Sequence, residues 1–253
     1  VIITSATIDV EKFSSHFNDA GIIAVEGRTF PVETRYSDMN LTNDERELNA
    51  IEHVVESVAS LVMKTAKDAE QNNDILVFLS SEREIRETAK NLRRKKFTNS
   101  KILPLYSRLP QSEQNKIFQK HRSQRIILST NVAETSITVP GIKYVVDTGL
   151  ARISRYSFQS KVQRLPIERV SQASANQRKG RCGRVEEGIC IRLYSEDDFN
   201  TRPLYTDPEI TRTNLAAVIL RMLSLDLGDV FDFPFVDKPE TKSINEGFKL
   251  LTE

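Results

Sequence analysis

Short apolar runs bounded by polar turns, alternating with apolar residues spaced three and four apart, set the rhythm of this chain. Ile75–Leu79, Ile102–Tyr106, Ile126–Ser129, Tyr144–Asp147 and Ile189–Tyr194 are runs of the first kind. Their continuity, without polar alternation, suits strands buried on both faces. Between them lie amphipathic segments. Leu48, Ile51, Val55, Val58 and Val62 make one helical stripe, preceded by a Thr42–Glu45 capping pair. Ser81 and Glu84 start a second, which carries Ile85, Ala89 and Leu92, and a third is expected from about Pro110 to His121. Strands alternating with helices at these lengths predict an α/β fold: a parallel sheet with helices on both faces. Ligands of such sheets gather beyond the carboxyl ends of the strands, so the loops after Leu79, Tyr106, Ser129 and Asp147 are candidate functional loops.

The two ends differ from this middle. Val1–Ile3, Ile22–Val25 and Val32–Tyr36 read as extended runs, and Ser37–Asp44 as a polar linker. After Arg202–Pro208 a helix is expected from Glu209 through Leu215, Val218, Ile219 and Met222, and the pattern is still helical at Glu253. The start lacks Met and a basic leader region, as expected of a segment from within a longer protein.

Composition narrows the class. Apolar residues are 39% and charged residues 28% of the 253, as in soluble globular domains, and no run approaches the roughly 18 apolar residues of a membrane span. Cys182 and Cys190 have no metal-ligand spacing, and His16, His53 and His121 are scattered, so no protein-held metal site is expected. Net charge is only +1, yet nine basic residues stand against the single acid Glu168 between Arg152 and Arg184. Such a segment attracts phosphates.

Four segments, taken together, carry a resemblance. They are Ser5-Ala6-Thr7-Ile8-Asp9, Ile75–Ser80, Ser129–Ser136 and Gln177-Arg178-Lys179-Gly180-Arg181-Cys182-Gly183-Arg184. In order and spacing they resemble motifs III, IV, V and VI of DEAH-box (DEAH/RHA) superfamily 2 helicases, most closely the HrpA-like bacterial subgroup. No Gly-x-x-x-x-Gly-Lys-Ser/Thr loop and no Asp-Glu-Ala-His occurs in the chain.

The resemblance implies three parts: residues 1–37 as the end of a first RecA-like domain, 38–202 as the second, and 203–253 as the beginning of a winged-helix domain. It implies ATP-dependent RNA unwinding, with translocation toward the 5′ end. ATP (or another NTP) would be the cofactor, with Mg²⁺ held mainly by upstream residues. Arg181 and Arg184, on one face of a helical turn, would be arginine fingers, with Gln177 beside them. Arg178 and Lys179 are less determined, one of them being able to pair with an acid of its own domain. Phe118 would stack on the base and Thr138 would lie at the nucleotide; Pro140 stands where many relatives carry a nucleotide-contacting Asp. Ser80, Ser81, Thr130 and Asn131 would meet sugar-phosphate, as would Arg155, Tyr156, Lys161 and Arg164 on a β-hairpin spanning Arg152–Val170. Ser5 and Thr7 would couple hydrolysis to strand movement. RNA is the implied partner, DNA is an open alternative, and a binding segment without its own ATPase is another. A monomeric, cytoplasmic protein with no membrane partner is the expectation that goes with the family.

Overall fold

The computed structural model describes residues 2–4, 9–24, 30–37, 46–65, 73–157 and 159–252. Its elements are α1 (Val10–His16), β1 (Val32–Tyr36), α2 (Arg46–Thr65), β2 (Asp74–Phe78), α3 (Glu82–Arg94), β3 (Ser100–Leu105), α4 (Gln111–Gln114), a 3₁₀ turn (Asn115–Phe118), β4 (Gln124–Ser129), α5 (Val132–Thr135) and β5 (Ile142–Asp147). Then come β6 (Leu150–Arg152), β7 (Arg155–Ser157), β8 (Val162–Arg164), β9 (Ile167–Arg169), α6 (Gln172–Lys179), β10 (Gly188–Arg192), α7 (Glu196–Thr201), α8 (Glu209–Arg212), α9 (Ala216–Ser224) and α10 (Thr241–Thr252). The chain divides into two compact units: residues 26–151 with 168–205, and residues 1–25, 152–167 and 206–253.

The larger unit is built on a six-stranded sheet in the order β1-β10-β5-β2-β4-β3, with every neighbouring pair parallel. Alternate residues of the central strands enter two cores. Ile75, Val77, Ile126, Leu128 and Val146 meet Ile51, Val55, Val58 and Val62 of α2 and Ile85, Ala89 and Leu92 of α3 on one face. Leu76, Phe78, Ile127 and Val145 meet Ile117, Ala133, Cys182 and Cys190 on the other. Two-sided burial is why these strands read as unbroken apolar runs. Ser81 caps α3 by accepting from the Glu84 N–H at 3.3 Å. The Thr42–Glu45 pair expected to start α2 lies outside the described residues.

Val32–Tyr36 is a sheet strand of this unit, paired with β10. This unit begins at residue 26. Residues 2–4 and 21–24 form no strand, and Ile2 and Ile23 stay 91% and 89% exposed. A strand needs a paired neighbour, and among the described residues these two runs have none. The helix expected from Pro110 to His121 is instead one α turn and one 3₁₀ turn, and Gln119 is already extended. The helix expected from Glu209 to Met222 is likewise split. Thr213 is extended, and the Asn214 side chain accepts from the Ala216 N–H at 2.8 Å to start α9 afresh.

In the smaller unit, α9 and α10 enclose a core of Leu215, Ile219, Met222, Val230 and Ile244. The hairpin predicted within Arg152–Val170 is present as antiparallel β7 and β8, pairing Arg155 with Arg164 and Tyr156 with Gln163. Its base is tied by Arg155 to Asp207 at 2.9 Å and by Arg212 to the Ser154 carbonyl at 2.8 Å. No helix among the described residues is long and apolar enough to cross a membrane.

Candidate nucleotide and nucleic-acid sites

The larger unit sorts the predicted residues into two groups. Strands β5, β2 and β4 lie side by side with Asp147, Phe78 and Ser129 in register at their carboxyl ends. Ser80, Ser81, Thr130 and Asn131 follow directly on these ends, so one sheet edge gathers them. The edge is stitched by the Leu79 N–H to the Ser129 carbonyl at 2.8 Å and by the Thr148 hydroxyl to the Phe78 carbonyl at 3.0 Å. Ser80 and Ser81 are buried. Glu84 accepts from both the N–H and the hydroxyl of Ser80, at 2.9 and 2.5 Å. Asn131 is exposed and Thr130 half-buried.

Asn131 also stands at the head of α5, a single turn whose far end leads to Thr138. The second group forms where the chain then approaches the start of β5, alongside the loop entering β10. Arg184 is exposed, and its Nη1 lies 3.4 Å from the Thr138 hydroxyl while its Nε donates to the Gly180 carbonyl at 3.2 Å. Arg181 is only 9% exposed and donates to the Glu134 carbonyl. Burial and the nearby Arg184 charge lower its pKa from the usual arginine value, and its Nε has no protein partner. Gln177 lies on α6, half-buried.

Arg181 and Arg184 do not share a helical face as expected. The α6 helix ends at Lys179, and Gly183 adopts φ +75°, a left-handed conformation that no right-handed helix admits. A side chain at Gly183 would clash with Val32 and meet the Phe30 carbonyl at 2.8 Å. The loop is pinned there by the Phe30 N–H donating to the Gly183 carbonyl at 2.7 Å.

Arg178 is the acid-paired residue of the run. Fully buried, it donates to Glu134 and Asp147, each at 2.8 Å, and lies 4.9 Å over the Phe78 ring. Burial opposes its charge, but the two carboxylates prevail and raise its pKa. Asp147 also accepts from the Tyr194 hydroxyl and the Gly149 N–H, each at 2.9 Å. Glu134 therefore serves twice: its carboxylate holds Arg178 and the Ser174 hydroxyl, and its carbonyl holds Arg181. Neither Glu134 nor Asp147 was singled out from sequence. An acid closing an apolar strand, as Asp147 does, was the one local cue.

Phe118 is 53% exposed while its neighbour Ile117 is fully buried, so the ring is not core. Ser5 and Thr7 lie outside the described residues. Arg164 and Lys161 are exposed on the hairpin, and Arg155 and Tyr156 half-buried. The donors around Arg184 suit an anion rather than a metal. Among the described residues no group of three or more His, Cys, Asp or Glu is placed to hold a cation. The Glu134 carboxylate is already used by Arg178 and Ser174.

Comparison with known proteins places this architecture. The helicase conserved C-terminal domain matches residues 53–186, more than half of the chain. The ATP-dependent RNA helicase HrpA of Escherichia coli is 60% identical over all 253 residues, and the HrpA homolog of Haemophilus influenzae 59%. The chain spans 19% of the length of each. The crystal structure of the Escherichia coli DEAH/RHA helicase HrpB superimposes with a TM-score of 0.85 at 29% identity, over 98% of this chain and 30% of that one. The chain belongs to the helicase conserved C-terminal domain family, and within it is similar to the HrpA-type DEAH/RHA helicases.

Proposed function

We propose that this chain is the part of an ATP-dependent RNA helicase that supplies the arginine fingers and one wall of the RNA path. The observation that carries this reading is the placement of exposed Arg184 within 3.4 Å of Thr138, with Arg181 in the same loop. Three residues from two separated segments thus converge as hydroxyl and guanidinium donors. Transfer of a phosphoryl group spreads negative charge over its oxygens, and a guanidinium answers it with a fixed fork of donors. Arg184 is the leading finger because it is exposed; Arg181, with one unused donor, supports it from beneath, and Gln177 stands beside them. Phe118 offers an open ring face to a base, which stacking accepts without reading its edges. The Mg²⁺ that accompanies ATP takes its protein ligands outside this cluster.

On the other sheet edge, Asn131 and Thr130 meet the sugar-phosphate chain, while Ser80 and Ser81, tied into the start of α3, shape the loop beside them. Such contacts position a strand without specifying sequence. The basic hairpin, with Arg155, Tyr156, Lys161 and Arg164, adds phosphate contacts. Ser5 and Thr7 couple hydrolysis to movement, and 203–253 begin a winged helix. The protein works as a cytoplasmic monomer that moves toward the 5′ end of RNA. RNA rather than DNA is the substrate proposed because the HrpA relatives are RNA helicases.

The test is the nucleic-acid-stimulated ATPase of the intact protein. Arg184→Ala is expected to lower turnover by roughly 10³- to 10⁵-fold, with RNA affinity nearly unchanged. Unaltered turnover would sink the finger assignment. A second reading, strand binding without autonomous ATPase, is favoured for the 253 residues alone by their lack of a phosphate-loop sequence. Measurable ATPase from that segment by itself would refute it.

A further inference from the structure

We infer that Arg125 is a positioning residue for the nucleotide base, holding Phe118 and the Thr138 loop in place through a single buried guanidinium. The inference rests on the base-stacking reading of Phe118. Arg125 is the second residue of β4 and is almost wholly buried. Its backbone N–H donates to one Asp74 oxygen at 2.6 Å and its Nε to the other at 2.8 Å. The rest of the fork does not serve the ion pair alone. Nη1 donates to the Ile117 carbonyl, one residue before Phe118, and Nη2 to the Pro140 carbonyl at 2.7 Å, two residues after Thr138.

These two carbonyls need an outside partner. A single 3₁₀ turn has poor internal geometry, and terminal carbonyls of any helix lack intrahelical donors. Asn115–Phe118 is such a turn, and the chain is already extended at Gln119. Beyond Pro140 the chain turns through Gly141 at φ +75°, directly against the guanidinium and Asp74. One planar group thus fixes the two segments that carry the expected base and phosphate contacts. A buried ion pair is seldom retained for stability alone. Here it pre-sets the direction of a donor fork aimed at loop backbone. Lysine could keep the charge beside Asp74 but not reach both carbonyls at once.

The experiment measures steady-state ATPase of the intact protein with Arg125→Lys, Phe118→Ala and the double variant, together with their thermal unfolding. Arg125→Lys is expected to raise KM for ATP roughly tenfold, the loss of about one charged hydrogen bond's hold, with kcat within about twofold of the parent. In the Phe118→Ala background the same substitution is expected to raise KM clearly less, since only the hold on the Thr138 loop is left to lose. Asp74→Asn, which removes the carboxylate that aims the fork, should reproduce the KM rise. If Phe118→Ala alone leaves KM unaltered, the stacking reading fails. If Phe118→Ala raises KM but Arg125→Lys does not, positioning by Arg125 fails. Equal effects of Arg125→Lys in both backgrounds, or a kcat loss that follows the melting temperature, would show a purely structural ion pair and overturn the inference.

Discussion

The last turn of α6 and the loop that follows it hold two arginines six residues apart, in opposite physical states. Arg178 is sealed in the core between Glu134 and Asp147, with its charge matched and its reach used up. Arg184 stands in solvent, held by the Gly180 carbonyl and Thr138. The contrast shows that a basic run is not a uniform phosphate-binding surface. One member builds the platform and another works from it. What separates them is the end of the helix at Lys179, after which Gly183 turns the chain outward.

The contrast is sharpest in turnover, where Arg184→Ala should cost the 10³- to 10⁵-fold set out above. Next in size is Arg178→Ala, which strands two carboxylates in the core. A loss of about 3–5 kcal/mol in unfolding free energy is expected, read from denaturant midpoints. A loss below about 1 kcal/mol would mean that the platform does not depend on this pair. Arg184→Ala in the same assay should fall within about 0.5 kcal/mol of the parent. A large destabilisation there would erase the distinction between the two arginines.

A smaller effect concerns alkali. Burial pushes the Cys182 thiol up to about 12 from the ordinary 9.0, and burial raises Cys190 and Tyr194 as well. These groups stay protonated when folded but ionise in the unfolded chain above about pH 9. Stability is therefore complete below that pH and declines as pH rises toward 12, by up to about 1.4 kcal/mol per group per pH unit. Urea midpoints at successive pH values test this, and a flat profile from pH 9 to 11 would refute it. Smallest of all, Ser81→Ala removes the α3 cap and should cost about 1 kcal/mol, with RNA affinity showing whether that hydroxyl does anything more.

The central sheet was legible because two-sided burial writes itself into sequence as Ile75–Leu79 and Ile126–Ser129, and because Ile85, Ala89 and Leu92 keep a helical period. Local pattern misled where tertiary partners decide. Val1–Ile3 and Ile22–Val25 are apolar enough for strands, but a strand exists only by pairing. The segment after Pro110 has helical composition, yet Arg125 draws off the Ile117 carbonyl and the turn tightens. The three-residue spacing of Arg181 and Arg184 suggested one helical face, but α6 ends at Lys179, before either of them. The Glu134–Arg178 contact was invisible because its partners are 44 residues apart and nothing near either one marks the other.

That three-way contact also restricts how this surface can change over generations. Glu134 and Asp147 both rest on the one Arg178 guanidinium, so losing the arginine alone leaves two unpaired carboxylates, while losing one acid leaves a matched ion pair. Drift at Arg178 is therefore more tightly restricted than drift at either acid. Around Arg184, which stands in solvent, single replacements are expected to leave the fold standing.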